Sequence, residues 1–510
     1  MPEPSASKVY IVGGGPGDPG LLALRGAQCL ARADVVLYDY LVNPRILAHA
    51  PPHAELVCLG RHGCDHVWRQ DEINRRLVEL AQAGRTVVRL KGGDPGLFGH
   101  LVEEVGALRA AGIPYEIVPG ITAASAVASH AGIPLTGRDT ASAVAFVTGH
   151  ECNDKQQPLD FGSLAQFPGT LVFYMGVTTV RHWADALLAA GKSGETPVAI
   201  VRRASLPQQT VLRTHLAELA DEVERTRLRP PAIFVVGPTA ALVGDLDWFS
   251  GRVLSGVTVL VPRAVRSDDA LAGGLEELGA KVLAAPAIEI GPPADWSAVD
   301  RAIEQLSTYQ WLVFSSANGV EAFFDRLLAT GRDLRALAGA RLAAIGPGTA
   351  DALARYRLRA DLVPPEFRAE SLAEALSPLA AGRRCLLIRA SRGREVLADR
   401  LRAAGATVDQ VVAYTSVDVP AADAETVKQL ASGGIDWIVV TSSAIARSLA
   451  RLYSTDLARA KLASLSPVTS ETLVELGYRP TVEAKSYTFA GLTAAIVQWQ
   501  ERHPTRQRPH

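Results

Sequence analysis

The sequence predicts an α/β protein made of two successive halves, the second of which contains two related lobes. Apolar runs of strand length alternate with Ala-, Leu- and Arg-rich segments of helical period almost throughout the 510 residues. This alternation is typical of largely parallel sheets covered by helices. The rhythm breaks between Gly244 and Gly256 and then restarts, and we place the boundary between the halves there.

Seven strand-like runs precede this break, and amphipathic segments of helical period separate them. Their apolar, β-branched composition predicts buried strands. The runs are Val9–Val12, Val35–Tyr38, Thr86–Leu90, Ala143–Thr148, Thr170–Tyr174, Ala199–Arg202 and Ile233–Val236.

Composition excludes several classes of function. The formal net charge is -1, so no basic field favours nucleic-acid binding. No apolar run approaches the ~20 residues that span a bilayer, and the first residues lack the apolar core of a signal peptide. We therefore expect a cytoplasmic protein without a membrane partner. The Cys and His residues between Cys58 and His66 match no standard zinc spacing, so no metal is expected.

Two motifs of the second half recur in the same order. The stretch that begins at Trp311 is answered by one that begins at Trp437, and the stretch from Arg341 is answered by one from Lys461. Each copy predicts a strand, a Ser/Thr-rich turn and a helix, then a second strand, a turn with proline and another helix. Although α/β proteins repeat such units generically, the shared order and spacing favour two lobes that face one cleft.

A glycine-rich loop follows the first predicted strand. Residues Gly15 to Gly20 satisfy the GxGxxG pattern, and Asp39 lies about twenty residues further on, at the end of the second strand. By the dinucleotide rule, a diphosphate would bind at the helix N-terminus and Asp39 would hold a ribose. Pro16 and Pro19 argue against this interpretation, because proline has no N–H group to donate to a phosphate.

Three further turns follow predicted strands of the first half. One contains Gly92, Gly93 and Asp94, the second contains Thr122, and the third contains Met175. Adjacent glycines let the main chain approach a flat ligand closely. In this order and at this spacing, the motifs between about 8 and 242 resemble the tetrapyrrole C-methyltransferases. The subgroup they resemble converts uroporphyrinogen III to precorrin-2.

This resemblance implies a methyltransferase domain at 8–245, with two α/β lobes and S-adenosylmethionine (SAM) bound in the cleft between them. S-adenosylhomocysteine (SAH) would be the product, and the family is usually homodimeric. Asp39 falls on the position of the proton acceptor. An electron-rich pyrrole carbon can attack the sulfonium methyl directly, so the protein mainly aligns the reactants and accepts a proton. The positions that match cofactor-binding residues are Pro16, Gly92, Gly93, Asp94, Leu97, Thr122, Ala123, Met175 and Ala204.

Some positions depart from the pattern of this family. Arg61 stands where a lysine proton donor is usual, and since arginine stays protonated we expect it to bind a substrate carboxylate. The stretch Gly96–Val102 lacks an arginine and two glycines that the family places beside the cofactor, and Ala204 with Ser205 replaces Gly-Thr. These differences leave open an altered substrate preference or a weakened activity.

The second half, at 257–500, resembles uroporphyrinogen III synthase, which closes hydroxymethylbilane while inverting its last ring. The resemblance implies a linker at 246–256, a first lobe from 257–290 plus 420–500, and a second lobe from 291–419. A two-stranded hinge would join the lobes. The matching stretches begin at Val261, Val313, Ala344, Val412 and Thr441.

Candidate site residues of the second half are hydroxyl-bearing. Tyr414 matches the one tyrosine of that family suspected of assisting departure of the substrate hydroxyl, although it could be an ordinary strand-end tyrosine. Serine and threonine at strand-to-helix turns could bind substrate carboxylates or simply cap helices. They are Ser315, Ser316, Thr441, Ser442 and Ser443.

The leading hypothesis is a bifunctional enzyme. It would convert hydroxymethylbilane to uroporphyrinogen III and then methylate that product twice with SAM to give precorrin-2, on the way to sirohaem or cobalamin. Two alternatives stay open. The chain could be an NAD-dependent oxidoreductase that uses the loop at 15–20, or one half could be a non-catalytic docking or regulatory module.

Overall fold

The computed structural model describes residues 8–60, 67–151, 157–242, 244, 246–264, 269–337, 339–393 and 395–503. These residues form four five-stranded sheets, two in each half of the sequence. The α/β class predicted from the sequence is confirmed. In the part of the chain that the structure describes, no helix combines the length and the apolar character needed to cross a membrane.

The first sheet is wholly parallel, in the order β3-β2-β4-β1-β5. Every residue of β1 and β4 is buried, as expected for a parallel sheet covered on both faces. Because parallel strands end at the same edge, the loops after them converge there. The elements are β1 (Val9–Gly13), α1 (Leu24–Leu30), β2 (Val35–Tyr38), β3 (Glu55–Cys58), α2 (Gln70–Gln82), β4 (Val87–Lys91), α3 (Leu101–Ala110), β5 (Tyr115–Val118) and α4 (Ala123–His130).

The second sheet is mixed, in the order β6-β7-β10-β8-β9, and all pairings except that of the first two strands are antiparallel. The expectation of a largely parallel sheet is wrong here. A short loop joins the last two strands of this order, and short loops join antiparallel strands whereas parallel ones need a crossover. The elements are β6 (Val144–Thr148), α5 (Phe161–Gln166), β7 (Thr170–Tyr174), α6 (Val180–Ala189), β8 (Pro197–Arg202), β9 (Thr210–His215), α7 (Leu219–Arg225) and β10 (Ala232–Val236).

The second half continues the strand–helix alternation. Its elements are β11 (Thr258–Val261), α8 (Ala270–Glu277), β12 (Lys281–Ala284), β13 (Ile288–Gly291), α9 (Ser297–Glu304), β14 (Trp311–Phe314), α10 (Ala317–Ala329), β15 (Arg341–Ala344), α11 (Pro347–Arg355), α12 (Ala369–Ala380), β16 (Arg384–Ala390), α13 (Val396–Ala403), β17 (Thr407–Asp418), α14 (Ala424–Ala431), β18 (Trp437–Val440), α15 (Ser443–Tyr453), β19 (Lys461–Ser464), α16 (Pro467–Glu475), β20 (Val482–Glu483) and α17 (Phe489–Arg502).

These strands form two sheets. The third sheet, in the order β12-β11-β18-β19-β20, combines strands from both ends of the second half and is parallel. The fourth sheet, in the order β13-β17-β16-β14-β15, is parallel except for its first strand, which runs antiparallel to its neighbour. The chain passes from the third sheet to the fourth between β12 and β13.

The internal repeat predicted in the second half is confirmed by the order of its elements. The unit β14-α10-β15-α11 in the fourth sheet corresponds to β18-α15-β19-α16 in the third. Trp311 and Trp437 begin the equivalent strands and both are buried. Each ring faces a cation from the neighbouring strand, Arg341 at 5.8 Å and Lys461 at 5.6 Å from the ring centre.

Candidate active sites

Three glycine-containing turns meet at the carboxyl edge of the first sheet. A Cβ atom on Gly13 would lie only 2.6 Å from the Cα of Gly120, and one on Gly120 would collide with the carbonyl oxygen of Gly93. Gly93 and Gly15 exchange backbone hydrogen bonds of 2.8 and 3.2 Å. Side chains at these crossings would push the turns apart, so glycine is required there.

Asp94 links two of these turns. Its Oδ1 accepts from the N–H of Gly96 at 2.8 Å and its Oδ2 accepts from the N–H of Gly120 at 2.9 Å. Each carboxylate oxygen has two lone pairs, so each can accept a further hydrogen bond from a ligand hydroxyl. The backbone donors fix the orientation of the carboxylate before any ligand binds.

Tyr174, at the end of β7 in the second sheet, contacts the turn after β5 of the first sheet, and the two sheets meet there at a cleft. Its hydroxyl lies 2.7 Å from Thr122 Oγ1 and accepts from the N–H of Ala124 at 3.1 Å. Burial raises the pKa of Tyr174, which keeps its proton available for hydrogen bonding. Sequence reasoning missed this residue, although it directly precedes Met175 in a turn that had been singled out.

Two apolar side chains are held exposed in left-handed backbone conformations near Tyr174. Met175 has φ +54° and is 51% exposed, and Phe98 has φ +54° and is 39% exposed. The Phe98 ring lies 5.2 Å from the Tyr174 ring. Left-handed backbone costs about 1–2 kcal/mol for such residues, and this strain clusters at ligand sites.

A cavity of about 770 Å³ opens beside these turns. The structure places Asp94, Leu97 and Thr122 in its lining. Gly93 and Ala123 are immediate chain neighbours of these residues, Gly92 precedes Gly93, and Met175 follows Tyr174 at the end of β7. The lining also includes Ser129 and His130, which the sequence analysis did not select because they lie in the interior and at the end of helix α4.

The backbone amides of the loop at 15–20 are largely engaged within the protein. Pro16 and Pro19 have no N–H. On either side of Pro16, Gly15 donates to the carbonyl of Gly93, and the carbonyl of Gly17 accepts from Asn43 Nδ2. Donors that are already paired cannot cradle a diphosphate, which argues against the dinucleotide interpretation. The donors and acceptors are Gly14 to the Lys91 carbonyl at 2.7 Å, Gly15 to the Gly93 carbonyl at 3.2 Å, Asp18 to Ser205 Oγ at 3.2 Å, and Gly20 to Asp18 Oδ1 at 2.8 Å.

The buried Ala204 precedes Ser205 in the loop between β8 and β9, so the structure places it beside the glycine-rich loop. Arg61 lies outside the described residues, and its prediction as a ligand for a substrate carboxylate is carried forward unchanged.

Asp39 follows β2 and joins a buried cluster of charges. Its Oδ1 lies 2.6 Å from Arg89 Nη2, and Arg89 Nε lies 3.0 Å from Oε1 of Glu104. Lys91 Nζ is 2.8 Å from the same Glu104 oxygen. The side chains of Arg89, Lys91 and Glu104 are at most 4% exposed, whereas that of Asp39 is 29% exposed.

Burial, followed by the charge of Arg89, lowers the pKa of the Lys91 ammonium. The second carboxylate oxygen of Glu104 has no hydrogen-bond partner among the described residues. Sequence reasoning gave Arg89, Lys91 and Glu104 no role. The available signal was the alternation of charged and apolar residues within the otherwise apolar strand β4.

The second half places Tyr414 beside Ser316 at the carboxyl edge of the fourth sheet. Their hydroxyl oxygens lie 2.9 Å apart. Ser316 also caps α10, because its Oγ accepts from the N–H of Gly319 at 3.0 Å. Ser315 Oγ donates to the Ile388 carbonyl at 3.3 Å. Burial raises the pKa of Tyr414, so it remains a proton donor at neutral pH.

The other three hydroxyl residues lie at the carboxyl edge of the third sheet. Thr441 directly follows β18, and Ser442 caps α15 by accepting from the N–H of Ile445 at 3.3 Å. Ser443 accepts from Thr472 Oγ1 at 2.9 Å. Ser442 thus has the capping role weighed for these serines, and its hydroxyl hydrogen stays free to donate. The Ser443 hydroxyl donates to the carbonyl of Val468 at 3.4 Å.

Asp418, at the end of β17, connects the two sheets of the second half. It accepts from Arg392 Nη1 at 2.8 Å and from Ser448 Oγ of α15 at 2.6 Å. These two donors, with Ser448 first, hold the pKa of Asp418 below its usual value. The residues were missed in the sequence because they are far apart in the chain and form no motif.

Comparison with known proteins gives the same division into two regions. The family model for tetrapyrrole (corrin/porphyrin) methylases matches residues 8–220, and that for uroporphyrinogen-III synthase HemD matches 269–494. The porphyrin biosynthesis protein HemD of Ruminiclostridium josui is 32% identical over 489 residues, which is 95% of each chain.

Two further proteins are similar to part of the chain. The uroporphyrinogen-III C-methyltransferase of Bacillus subtilis is 38% identical over 330 residues, which is 64% of this chain and 68% of that one. A crystal structure of uroporphyrin-III C-methyl transferase from Thermus thermophilus, complexed with S-adenyl homocysteine, is 41% identical. It covers 46% of this chain and 100% of its own, with a TM-score of 0.40.

The fold and the two family matches define a two-part α/β enzyme. The chain belongs to the family in which a tetrapyrrole methylase is fused to a uroporphyrinogen-III synthase. It is accordingly a bifunctional enzyme of tetrapyrrole biosynthesis, with a methyltransferase region and a synthase region.

Proposed function

We propose that the second half converts hydroxymethylbilane to uroporphyrinogen III and water, and that the first half methylates this product twice to precorrin-2. The glycine-lined cleft that contains Asp94 and Tyr174 is the observation that carries the methyltransferase assignment. The loop at 15–20 argues against NAD chemistry, because it contains two prolines and the N–H groups of Gly15, Asp18 and Gly20 already donate within the protein.

The residues around this cleft fit SAM by their chemistry. Asp94 offers acceptor lone pairs suited to ribose hydroxyls, and Gly92 and Gly93 leave the backbone open to a flat ring. Met175 and Leu97 supply apolar surface. SAM, when bound, supplies an electrophilic methyl group on a sulfonium. The chain orients the reactants, and Asp39 accepts the proton that is released as the methylated ring rearranges.

In the synthase half, Tyr414 would donate to the hydroxyl group that leaves hydroxymethylbilane as water. The hydrogen bonds support this direction. Because Ser316 Oγ accepts from Gly319, its own hydrogen can be donated to the Tyr414 oxygen, which frees the tyrosine hydrogen for the substrate. The hydroxyls at the edges of both sheets would bind the carboxylates of the substrate.

The test uses the full-length protein in two stages. Hydroxymethylbilane alone should give the type III isomer, and addition of SAM should then add the mass of two methyl groups. Appearance of only the type I isomer, which forms spontaneously, would exclude the synthase assignment. Calorimetry should detect saturable SAH binding, whereas saturable NAD binding without SAH binding would exclude the methyltransferase assignment. If one stage fails and the other succeeds, the inactive half is the docking or regulatory module of the alternative hypothesis.

The replacement Tyr414→Phe should lower the synthase rate by about 10²-fold, the scale of a lost general acid. Uroporphyrinogen III methylation should be unaffected. Tyr309→Phe is the matched control, since Tyr309 belongs to the same lobe and donates to Asp409 at 2.8 Å from the opposite edge of the sheet. Equal synthase rates for the two variants would show that Tyr414 is only a structural residue.

The domain limits, the roles of Arg61 and Asp39, the homodimer and the cytoplasmic location are also proposals. The first three derive from the resemblance to the two families, and the cytoplasmic location derives from the lack of a membrane-spanning run and of a signal-peptide core in the sequence. Sedimentation equilibrium of the full chain checks the dimer directly.

A further inference from the structure

The segment Leu246–Phe249, here called the junction segment, packs against the end of helix α4. The indole N–H of Trp248 donates to the carbonyl of Ser129 at 2.7 Å. The His130 ring lies 5.6 Å from the Trp248 ring and 5.1 Å from the Phe249 ring. A Cβ atom on Gly132, which has φ +63°, would lie 2.5 Å from the carbonyl carbon of Leu246. The junction segment therefore touches α4 without intervening space.

The residues that the junction segment contacts also belong to the first-half cavity. Ser125, Ser129 and His130 line it together with Asp94 and Thr122. The end of α4 thus contributes to both regions. It lines the cavity, and its Ser129 carbonyl and His130 ring contact the junction segment.

His130 is tied in turn to the glycine-rich loop. Its carbonyl accepts from Gln209 Nε2 at 3.0 Å, and Gln209 Oε1 accepts from the N–H of Ser205 at 3.0 Å. Ser205 Oγ accepts from the N–H of Asp18 at 3.2 Å. A shift of His130 would therefore also move the loop between β8 and β9 and the glycine-rich loop.

The second half anchors the junction segment. The guanidinium of Arg252 lies 3.6 Å from the centre of the Phe249 ring and donates to the carbonyl of Glu276, in α8, at 3.1 Å. The Glu276 carboxylate pairs with Arg45 of the first half. These contacts hold Phe249, the chain neighbour of Trp248, from the synthase side.

We propose that Trp248 is a positioning residue for binding of the methyl donor, acting through Ser129 and His130. This inference rests on the proposed function, because it takes the cavity to be the SAM site. It adds that the junction between the halves, outside the matched methylase region 8–220, supports methyl-donor binding.

The test compares Trp248→Ala, Trp248→Phe and Leu246→Ala in the full-length protein. Leu246 is the matched control, because it is 56% exposed, as Trp248 is at 57%, but its contact with Gly132 is made by backbone atoms that the substitution leaves in place. Trp248→Ala loses a hydrogen bond and a ring contact, so the Kd for SAH should rise about tenfold. Trp248→Phe keeps the ring and should recover part of this loss, and Leu246→Ala should match the parent.

Kinetics separate positioning from general damage. Trp248→Ala should raise the KM for SAM while its kcat for methylation and its synthase rate stay within twofold of the parent. An SAH Kd within twofold of the parent would overturn this inference alone, and so would equal losses of kcat and synthase rate. If the parent protein binds no SAH, the proposed function fails and the inference fails with it.

Discussion

Replacing Glu104 by glutamine should lower the free energy of unfolding by about 3–5 kcal/mol, the scale of a broken buried ion pair. Glu104 is fully buried, and its carboxylate is shared by Arg89 and Lys91, which are also buried. The amide fills the same volume but carries no charge, so two cations would be left with Asp39 as their remaining carboxylate. Denaturant titration of the full chain measures the change.

The neighbouring residue supplies the control. Glu103 precedes Glu104 on α3, is 51% exposed, and pairs with His100 at 3.1 Å. Because exposed pairs contribute about 0–1 kcal/mol, Glu103→Gln should be nearly neutral. Similar midpoints for the two variants would mean that the buried cluster does not depend on its central carboxylate.

Replacing Asp39 by asparagine should lower kcat for methylation by about 10²–10⁴-fold, the range for a general base. The amide is nearly isosteric but cannot accept a proton. The cavity residues Asp94, Leu97 and Thr122 are unchanged, so the Kd for SAH should stay within twofold. A continuous assay with uroporphyrinogen III and a calorimetric titration with SAH give the two values.

Asp34→Asn is the matched control for this prediction. Asp34 lies before the same strand, β2, at its opposite end, where it accepts from the N–H of Thr86 at 2.7 Å. Its loss should reduce stability without changing kcat. If Asp39→Asn retains more than a third of the parental kcat, the proton leaves by another route and Asp39 serves only to pair with Arg89.

The strands of the first half could be predicted because their signal is local. All seven predicted runs correspond to strands with bounds within two residues. Strands β3, β5 and β9 are not among these runs, and β9, at the edge of its sheet, has no fully buried residue. Strand direction in the second sheet depends on which strands pair with each other, and a local sequence pattern does not contain this information.

The glycine turns could also be predicted, since a turn that requires glycine leaves its mark in the sequence. The pairing of Arg89 with Glu104 could not, because it depends on α3 returning across β4. Tyr174 and His130 make their contacts with residues that are distant in the sequence, Thr122 and Gln209 respectively. These contacts arise only in the tertiary structure. The alternation within β4 was the one local trace of the buried charges.

The composition of the third sheet has a consequence for how the chain folds during synthesis. Strand β11 pairs with β12 on one side and β18 on the other, and β18 is made only after the whole fourth sheet. As the chain leaves the ribosome, β11 therefore waits with one edge open, while β13 to β17 already have all their partners. An open parallel edge invites pairing with other chains. The fourth sheet should thus fold before the third. The interval before β18 emerges is when the nascent second half is most prone to aggregate.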